Sequence, residues 1–312
     1  MTDKAFFSID PSRSVVAVEG EDRANYQQGL ISNDTKRVSA ERAVYSAFLT
    51  PQGKFLHDFT LIEQSGVEGG GVERYLLDPE TARAADLVKR LSMYRLRSKV
   101  KVLDLGADWS VVLFFGADAL AKLGLAAKAG FAKPFGDGVA FVDPRLPDLG
   151  ARAFLPKDQA SALAAGAGFT AALLQDYDRL RIRLGVPLGS RDLTPEKAIL
   201  LENGFEELAA IDWEKGCYMG QELTARTRYR GLVRKRLLPV EVSGPLPAAG
   251  TPLMLGDVEA GEMRSGAAQG DFGLAMIRLE HLERAKAAGL TAGDSRLRPF
   301  VPEWMRLPEQ VG

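Results

Sequence analysis

The sequence predicts an α+β fold that ends in a separate all-β unit. Helix-like and strand-like segments are mixed along the chain up to about residue 235. After Arg236 they give way to short strand-like pieces divided by Gly and Pro, a pattern typical of a small antiparallel barrel or sandwich. We therefore expect a domain boundary near residue 235, which separates residues 1–235 from residues 236–312.

Length and composition bound the class of protein. A chain of 312 residues is too long for one ordinary core, so two or three packed units are expected. Its 46% hydrophobic and 26% charged residues are typical of soluble globular proteins. Because 40 basic and 41 acidic side chains give a net charge of −1, affinity for nucleic acid or anionic lipid would require a local patch.

The N-terminal part begins with a predicted strand over Ser14–Val18 and a helix in EDRANYQQGLISND, whose Tyr26, Leu30 and Ile31 face inward. Three consecutive antiparallel strands are expected next, with a loop SGVEGGG before the third: YSAFLT, KFLHDFTLI and ERYLLD. A helix then opens at Pro79, and its buried stripe is Ala82, Ala85, Leu87, Val88 and Leu91.

The middle of the chain returns to strands and then becomes rich in helix. KVKVLDL, WSVVLFF and VAFVDPR have strand character. Two Ala-rich helices are predicted around residues 117–129 and 157–165, and a longer helix in FTAALLQDYDRLRIRLG.

The only cysteine, Cys217, lies between Gly216 and Gly220 in EKGCYMGQELTARTRYRG. Because GQELTARTRY has a helical pattern, the thiol is expected at or just before a helix N-terminus, where the helix dipole and Lys215 would lower its pKa. The alternative is a small buried hydrophobe with Tyr218 as its core neighbour. The sequence leaves a reactive thiolate and a packed cysteine both open.

Cysteine and histidine usage limits the location and the metal chemistry. A single cysteine cannot form an internal disulfide or supply a whole metal site, and the two histidines, His57 and His281, are far apart. We expect no metal site. The N-terminal residues lack a signal-peptide or transit-peptide pattern, and no window is apolar enough for a membrane span, so the prediction is a soluble cytoplasmic protein with no membrane partner.

A cluster of positive charge follows the cysteine, in Arg226, Arg228, Arg230, Arg234, Lys235 and Arg236. Guanidinium groups suit bidentate capture of carboxylates or phosphates. The alternative is a solvated flank that is neutralised by upstream acids, namely Glu202, Glu206, Glu207, Asp212 and Glu214.

Taken together, EKGCYMGQELTAR and RGLVRKR resemble the K-G-C-Y-x-G-Q-E signature of the YgfZ family, folate-binding relatives of the glycine-cleavage T-protein, an aminomethyltransferase. Other segments resemble family motifs in the same order: YQQGLISNDT, TPQGKFLHDF, YRLRSKVKV and RLRIRLGVPLGSRDLTPEKAIL. The resemblance implies a T-protein-like fold with a ferredoxin-like subdomain, two interleaved subdomains around a central opening, and a C-terminal β-barrel. It also implies tetrahydrofolate as a cofactor, and iron–sulfur proteins or assembly factors as partners.

The resemblance suggests site residues. Cys217 would be the catalytic residue, Asn33, Asp34 and Glu196 would hold the pterin edge, and Arg181 and Arg226 the glutamate tail. Further folate-contacting candidates in the motif are Lys215, Gln221 and Glu222. Structural alternatives exist: Asn33 and Asp34 could cap a turn, Glu196 could begin a helix, and Arg181 could form a surface ion pair.

A departure from the family pattern separates the possible functions. Where the aminomethyltransferases carry paired aspartates, this chain has His57 and Asp58, and the transferases lack the cysteine. We therefore favour folate-linked iron–sulfur assembly over one-carbon transfer. A second alternative is an RNA-binding module, since related bacterial members have been described as tRNA-modifying. Beside Asp58, His57 is a candidate to titrate near neutral pH, but the favoured alternative is a histidine that is simply packed on its strand.

Overall fold

A computed structural model describes residues 5–64 and 73–308. Its strands are, in chain order, β1 Phe6–Asp10, β2 Val16–Glu19, β3 Val44–Leu49, β4 Phe55–Gln64, β5 Arg74–Leu77, β6 Lys101–Asp104, β7 Trp109–Phe115, β8 Ala132–Phe135, β9 Gly138–Val142, β10 Ala151–Pro156, β11 Thr170–Ala171, β12 Lys235–Ser243, β13 Pro252–Leu255, β14 Val258–Gly266, β15 Phe272–Arg278, β16 Leu290–Ala292 and β17 Ser295–Pro299. Its α-helices are α1 Arg23–Gln28, α2 Ala84–Tyr94, α3 Ala119–Leu123, α4 Lys157–Gly166, α5 Leu174–Arg183, α6 Gly189–Asp192, α7 Gln221–Tyr229 and α8 Leu282–Ala288.

The chain forms two compact units. The first consists of the described residues of Met1–Leu49, Leu56–Leu174 and Leu208–Met219. The second consists of those of Thr50–Phe55, Gln175–Glu207 and Gly220–Gly312. In the part of the chain that the structure describes, no helix is both long and apolar enough to cross a bilayer.

The first unit contains two sheets. One has the strand order β11-β1-β7-β10-β9-β8, and the other has the order β3-β4-β5-β2-β6. The neighbouring positions of β3, β4 and β5 confirm the three consecutive strands that the sequence predicts, while the SGVEGGG loop lies outside the described residues. Strand β7 carries the near-continuous apolar run VVLFF, which is buried because the sheet is covered on both faces.

The sheets of the first unit pack on helices through apolar side chains. In the second sheet the core includes Phe48 and Phe59 from the strands and Leu87 and Leu91 from α2. In the first sheet, Val112 and Phe114 of β7 share a core with Ala160 and Ala164 of α4, where the small side chains allow close approach.

The second unit contains a closed barrel with the strand order β12-β15-β14-β13-β16-β17, which confirms the antiparallel barrel. Alternate residues of β12, such as Leu238, Val240 and Val242, point into its core. Closing the sheet pairs the backbone groups that an edge strand would leave open.

Four helix predictions differ from the structure. The helix predicted in FTAALLQDYDRLRIRLG begins only at Leu174, because Thr170–Ala171 form strand β11. Helix α1 ends at Gln28, short of the predicted span, and α3 covers five residues where an Ala-rich helix of more than twice that length is predicted. After Pro79 a single tight turn precedes α2, so the helix begins at Ala84. Leu87 and Leu91 of the predicted stripe are buried, but Ala82 and Ala85 are exposed because the helix phase starts later.

A candidate thiol site and the residues around it

Cys217 is exposed and lies in a loop of the first unit, residues 212–219, which we call the cysteine loop. Helix α7 begins at Gln221, as the GQELTARTRY pattern predicts, and Cys217 precedes it by four residues. The thiol therefore lies before the helix and not in its first turn, because Gly216 and Gly220 have φ angles of +91° and +81° and keep the cysteine loop out of the helical path. The alternative of a buried cysteine is wrong, although its neighbour Tyr218 is buried as that alternative expects.

Lys215 ties the cysteine loop to the segment that follows α1. Its Nζ donates hydrogen bonds to the carbonyl oxygens of Ile31 at 2.6 Å and Asn33 at 2.7 Å. The ammonium also lies 5.1 Å from the centre of the Tyr218 ring, within cation–π range. Burial lowers the pKa of Lys215 to about 8, against the opposing attraction of Asp34 and Asp212.

Further hydrogen bonds fix the backbone of the cysteine loop. The side-chain amide of Gln28 donates to the Lys215 carbonyl at 3.2 Å and to Asp34 Oδ1 at 2.9 Å. The Met219 N–H donates to the Gly29 carbonyl at 3.0 Å, and at the other end Asp212 N–H donates to the Ser32 carbonyl, also at 3.0 Å. The loop is therefore held at both ends and in the middle, on a segment of the same unit.

The structure brings Asn33, Asp34 and Lys215 together, but it uses the first two as structural groups. The Asn33 side-chain amide donates to the carbonyl oxygens of Tyr45 and Ala209, both at 2.7 Å, and its Oδ1 accepts from Asp34 N–H. Asp34 Oδ1 also accepts from Lys36 N–H and so caps a short 3₁₀ turn. This geometry favours the capping alternative for both residues.

The other predicted site residues lie in the second unit. Arg181 pairs with Asp192 at 2.7 Å and Asp178 at 2.6 Å, so the ion pair of the structural alternative is present, but it is buried and not on the surface. Glu196 is exposed in a turn with φ of +62°, so it does not begin a helix. The remaining candidates occupy α7, with Gln221 half-buried in its first turn and Glu222 and Arg226 exposed.

The arginine cluster is partly neutralised within the second unit. Arg228 pairs with Glu206 at 2.9 Å, and Arg236 pairs with Glu207 at 2.6 Å while donating to the Leu201 carbonyl. The alternative of a neutralised flank thus holds for these two arginines. The other four cations of the cluster are exposed on the surface: Arg226, Arg230, Arg234 and Lys235.

His57 is packed, as the favoured alternative expects. It is buried and its Nε2 lies 2.9 Å from Asp86 Oδ2, on α2. Burial, with the nearby positive charge of Arg83, lowers the pKa of His57 to about 4, so this histidine does not titrate near neutral pH. At neutral pH this histidine is an uncharged packing residue.

Asp58 belongs instead to a buried ionic cluster, which we define as Arg13, Asp58, Asp78, Asp143, Arg145 and Arg152 with Tyr45. Arg13 pairs with Asp58 at 3.2 Å, and the Tyr45 hydroxyl donates to the same carboxylate at 2.7 Å. Arg152 bridges Asp78 at 2.7 Å and Asp143 at 2.8 Å. Three arginines balance three aspartates, and arginine holds the pKa of the Asp143 carboxyl well below its usual range despite burial.

The ionic cluster joins the two sheets of the first unit, because Asp58 lies on β4 and Arg152 on β10. Sequence reasoning missed it, apart from noting Asp58. A polar residue within the apolar strands ARAFLP and FLHDFTLI was the available signal, since a charge inside a buried strand needs a partner.

Comparison with known proteins shows the family to which the chain belongs. The human protein named iron–sulfur cluster assembly factor IBA57, mitochondrial, is 35% identical over 320 aligned residues, which cover 96% of this chain and 85% of the human one. The chain belongs to the IBA57 family of iron–sulfur cluster assembly factors. A mouse IBA57 is 33% identical over 96% of this chain and 84% of its own. A homologue from Mycosarcoma maydis is 35% identical over 78% of this chain, but the match spans only 57% of that longer protein.

Two further similarities concern the fold. Residues 234–307 match the family model described as CAF17, C-terminal beta-barrel domain. The crystal structure of the glycine cleavage system aminomethyltransferase T from Bartonella henselae superposes with a TM-score of 0.75 at 16% identity, covering 97% of this chain and 87% of the other. The α+β, T-protein-like fold with a C-terminal barrel is therefore confirmed.

The IBA57 relatives also change two of the sequence predictions. These relatives are named IBA57, a family that is related to the YgfZ family whose motifs the sequence resembles. The narrower assignment to the YgfZ family stays a prediction. The predicted cytoplasmic location is contradicted, because these relatives are named as mitochondrial proteins.

Proposed function

We propose that this protein is an accessory factor in iron–sulfur cluster assembly, in which Cys217 supplies one thiolate ligand to a cluster that is shared with a partner protein. The observation that carries the proposal is an exposed thiol on a loop whose backbone is fixed by Lys215, Gln28 and Met219. Membership of the IBA57 family supplies the functional class.

The partner follows from the ligand count. Iron–sulfur clusters are usually held by four protein ligands, mostly cysteine thiolates. This chain has one cysteine, and its His57 is buried. Most ligands of a cluster bound at Cys217 must therefore come from another protein or from small thiols, and the protein would act in transfer or handover and not in storage.

The binding step is a ligand exchange without change of oxidation state. The Cys217 thiol loses its proton to solvent, and its Sγ forms a bond to an iron of the cluster. The bond from that iron to an exchangeable thiolate breaks, and the released thiolate takes up a proton. A fixed backbone lowers the entropy that the loop would lose when the thiol is engaged.

Tetrahydrofolate binding remains a proposal, and the residues fit it only in part. Asn33 and Asp34 use polar groups to hold their turn, and the charge of Arg181 is matched by Asp178 and Asp192. Arg226 is exposed and forms no ion pair with the carboxylates of the described residues, so it suits the glutamate tail best. No step of the proposed chemistry passes through folate.

Replacement of the cysteine tests the proposal. In cells that lack the wild-type protein, Cys217→Ser should fail to restore the activity of cluster-dependent enzymes. A matched control combines Cys217→Ser with Val258→Cys, which places a thiol on an exposed barrel strand and should not rescue. Full activity with Cys217→Ser would reject the proposal, as would rescue by the displaced thiol.

A further inference from the structure

The strongest surface feature outside the thiol site is the stretch that runs from the end of α2 into strand β6. Every residue from Ser92 to Arg97 is exposed, including large apolar side chains. Leu96 is 88% exposed and Met93 67%, with Tyr94 and Leu103 less exposed beside them. Contiguous apolar exposure of this kind marks an interaction site more often than a plain surface.

The backbone holds Leu96 in this position at a cost. Its φ of +44° lies in the left-handed region, which is uncommon for a non-glycine residue and strained for a leucine. Tyr94, two residues earlier, has its ring 6.2 Å from that of the buried Phe48, so the end of the helix is anchored. The structure thus presents Leu96 outward from a fixed base.

Positive charge surrounds this apolar group. Arg95, Arg97 and Lys101 are exposed and form no ion pair with a carboxylate of the described residues. Of the nearby carboxylates, Glu21 pairs with Lys99, Glu19 with Arg74 and Asp86 with Arg90. Within the described residues, Asp22, in the cleft beside Leu96, and Asp104, at the end of β6, accept only backbone N–H groups, so three exposed cations outnumber two carboxylates that lack an ion pair. The local patch is therefore cationic although the chain as a whole has a charge of −1.

The shape around Leu96 is concave on both sides. One cleft of about 770 Å³ lies between Leu96, Arg97 and the helix residues Asn25 and Tyr26. A second, of about 570 Å³, lies between Leu96 and the start of β6. Strand β6 is the last in its sheet, so one of its edges faces no other strand of the described residues.

We propose that residues 93–103, the Leu96 surface, form a docking site for an acidic partner protein, with Leu96 as the apolar anchor. An apolar group inside a ring of cations fits a protein surface that has an apolar pocket with a carboxylate rim. A bilayer would leave the two clefts unfilled, and a nucleic acid offers no apolar pocket for an exposed leucine and methionine. The proposal goes beyond the proposed function, because Cys217 is not part of this surface.

Site-specific photocrosslinking in cells tests the surface. The photoreactive residue p-benzoylphenylalanine replaces Leu96 in one strain and Val258, an exposed residue of the barrel, in a control strain. We expect one crosslinked protein at position 96 that is absent at position 258, and the crosslinked peptide is sequenced. Absence of a crosslink, or the same crosslinks at both positions, would overturn the proposal.

The protein identified in this way is then purified and its affinity is measured against variants. Leu96→Asn removes the apolar anchor while keeping a residue that tolerates positive φ, so the fold should be retained. We expect at least about tenfold weaker binding for Leu96→Asn and a smaller loss, with a reduced salt dependence, for Arg97→Glu. The affinities are measured with both proteins free of cluster, which separates this proposal from the cluster-ligand proposal, and the Arg278→Glu control on the barrel should bind as the wild type does.

Unchanged affinity of Leu96→Asn would overturn the proposal. So would binding of the wild type, but not Leu96→Asn, to phosphatidylglycerol vesicles or to total tRNA in place of the protein. A concentration-dependent dimer that Leu96→Asn abolishes would also overturn it, by assigning the surface to a second copy of this chain.

Discussion

The ionic cluster and the cysteine loop both belong to the first unit, but they differ in the state of their functional side chains. In the cluster the charged side chains are sealed and paired, as where Arg152 bridges Asp78 and Asp143. In the cysteine loop the hydrogen bonds go to the backbone, and the side chain of Cys217 is left exposed. The charged groups of the ionic cluster hold the two sheets together, whereas the thiol of the cysteine loop stays accessible.

This difference explains why the strand that carries His57 and Asp58 is a poor candidate for catalysis here. Asp58 is neutralised by Arg13 and hydrogen bonded by Tyr45, and His57 is neutral and buried. The exposed thiol lies elsewhere, in the cysteine loop. The predictions below test the contrast, from the largest expected effect to the smallest.

Breaking the ionic cluster should give the largest loss of stability. Arg152→Met leaves Asp78 and Asp143 buried with one cation fewer, and an uncompensated buried charge costs about 3–5 kcal/mol. Chemical denaturation measures the change in the free energy of unfolding. The control Arg278→Met, which breaks an exposed pair with Glu259, should cost no more than about 1 kcal/mol. Equal effects of the two variants would show that the cluster is not a stability element.

The neutral state of His57 should make the protein sensitive to acid. Its pKa of about 4 in the folded state is below the unfolded value of about 6.5, so the unfolded state takes up the proton first and stability falls as pH drops from 6.5 towards 4. Between about pH 7 and about pH 5 the wild type should lose about 2 kcal/mol more than His57→Gln does. Parallel pH profiles for the two proteins would contradict this assignment.

The proposed binding of folate should depend on an exposed cation of α7. Arg226→Ala should weaken binding of tetrahydrofolate by about tenfold, or about 1.4 kcal/mol, because one charge-assisted hydrogen bond to the glutamate tail is lost. Arg230→Ala, on the same exposed segment, is the matched control and should leave affinity unchanged. Calorimetric titration under anaerobic conditions measures both, and equal affinities of all three proteins would remove Arg226 from the site.

The smallest effect concerns Lys215. Its folded pKa of about 8 is below the unfolded value of about 10.4, so between these values the unfolded state binds more protons and stability rises with pH. Over this interval the wild type should gain up to about 1 kcal/mol relative to Lys215→Met, after allowance for solvent screening. The exposed Lys36→Met is the control, and an identical pH profile for Lys215→Met would contradict the buried position.

Local patterns in the sequence predict much of the fold. The strands β3, β4 and β5 follow from apolar runs between turn residues, and the barrel follows from short strands divided by Gly and Pro. The start of α7 follows from the helical pattern of GQELTARTRY. The Ala-rich helix predicted around residues 117–129 is too long, because α3 ends at Leu123, before Gly124, whose φ of +62° is left-handed.

The site is harder to predict, because its partners are distant in sequence. Arg152 and Asp78 are 74 residues apart, and His57 and Asp86 are 29 apart. Lys215 appears beside Cys217 in the motif, yet its hydrogen bonds go to carbonyls 184 and 182 residues earlier. Composition and spacing identify the residue types at the site, whereas the fold decides which of their polar groups are already engaged in hydrogen bonds or ion pairs within the protein.

The most direct test of the central claim is a reconstitution with ferric iron, sulfide and glutathione under anaerobic conditions, in which a 2Fe–2S cluster can form without change of oxidation state. We expect the wild-type protein to acquire the visible absorption of an iron–sulfur cluster, with glutathione as the remaining ligands, and Cys217→Ser to acquire none while unfolding at the same denaturant concentration. A cluster bound equally by both proteins would contradict the account, and so would a wild-type protein that binds no cluster.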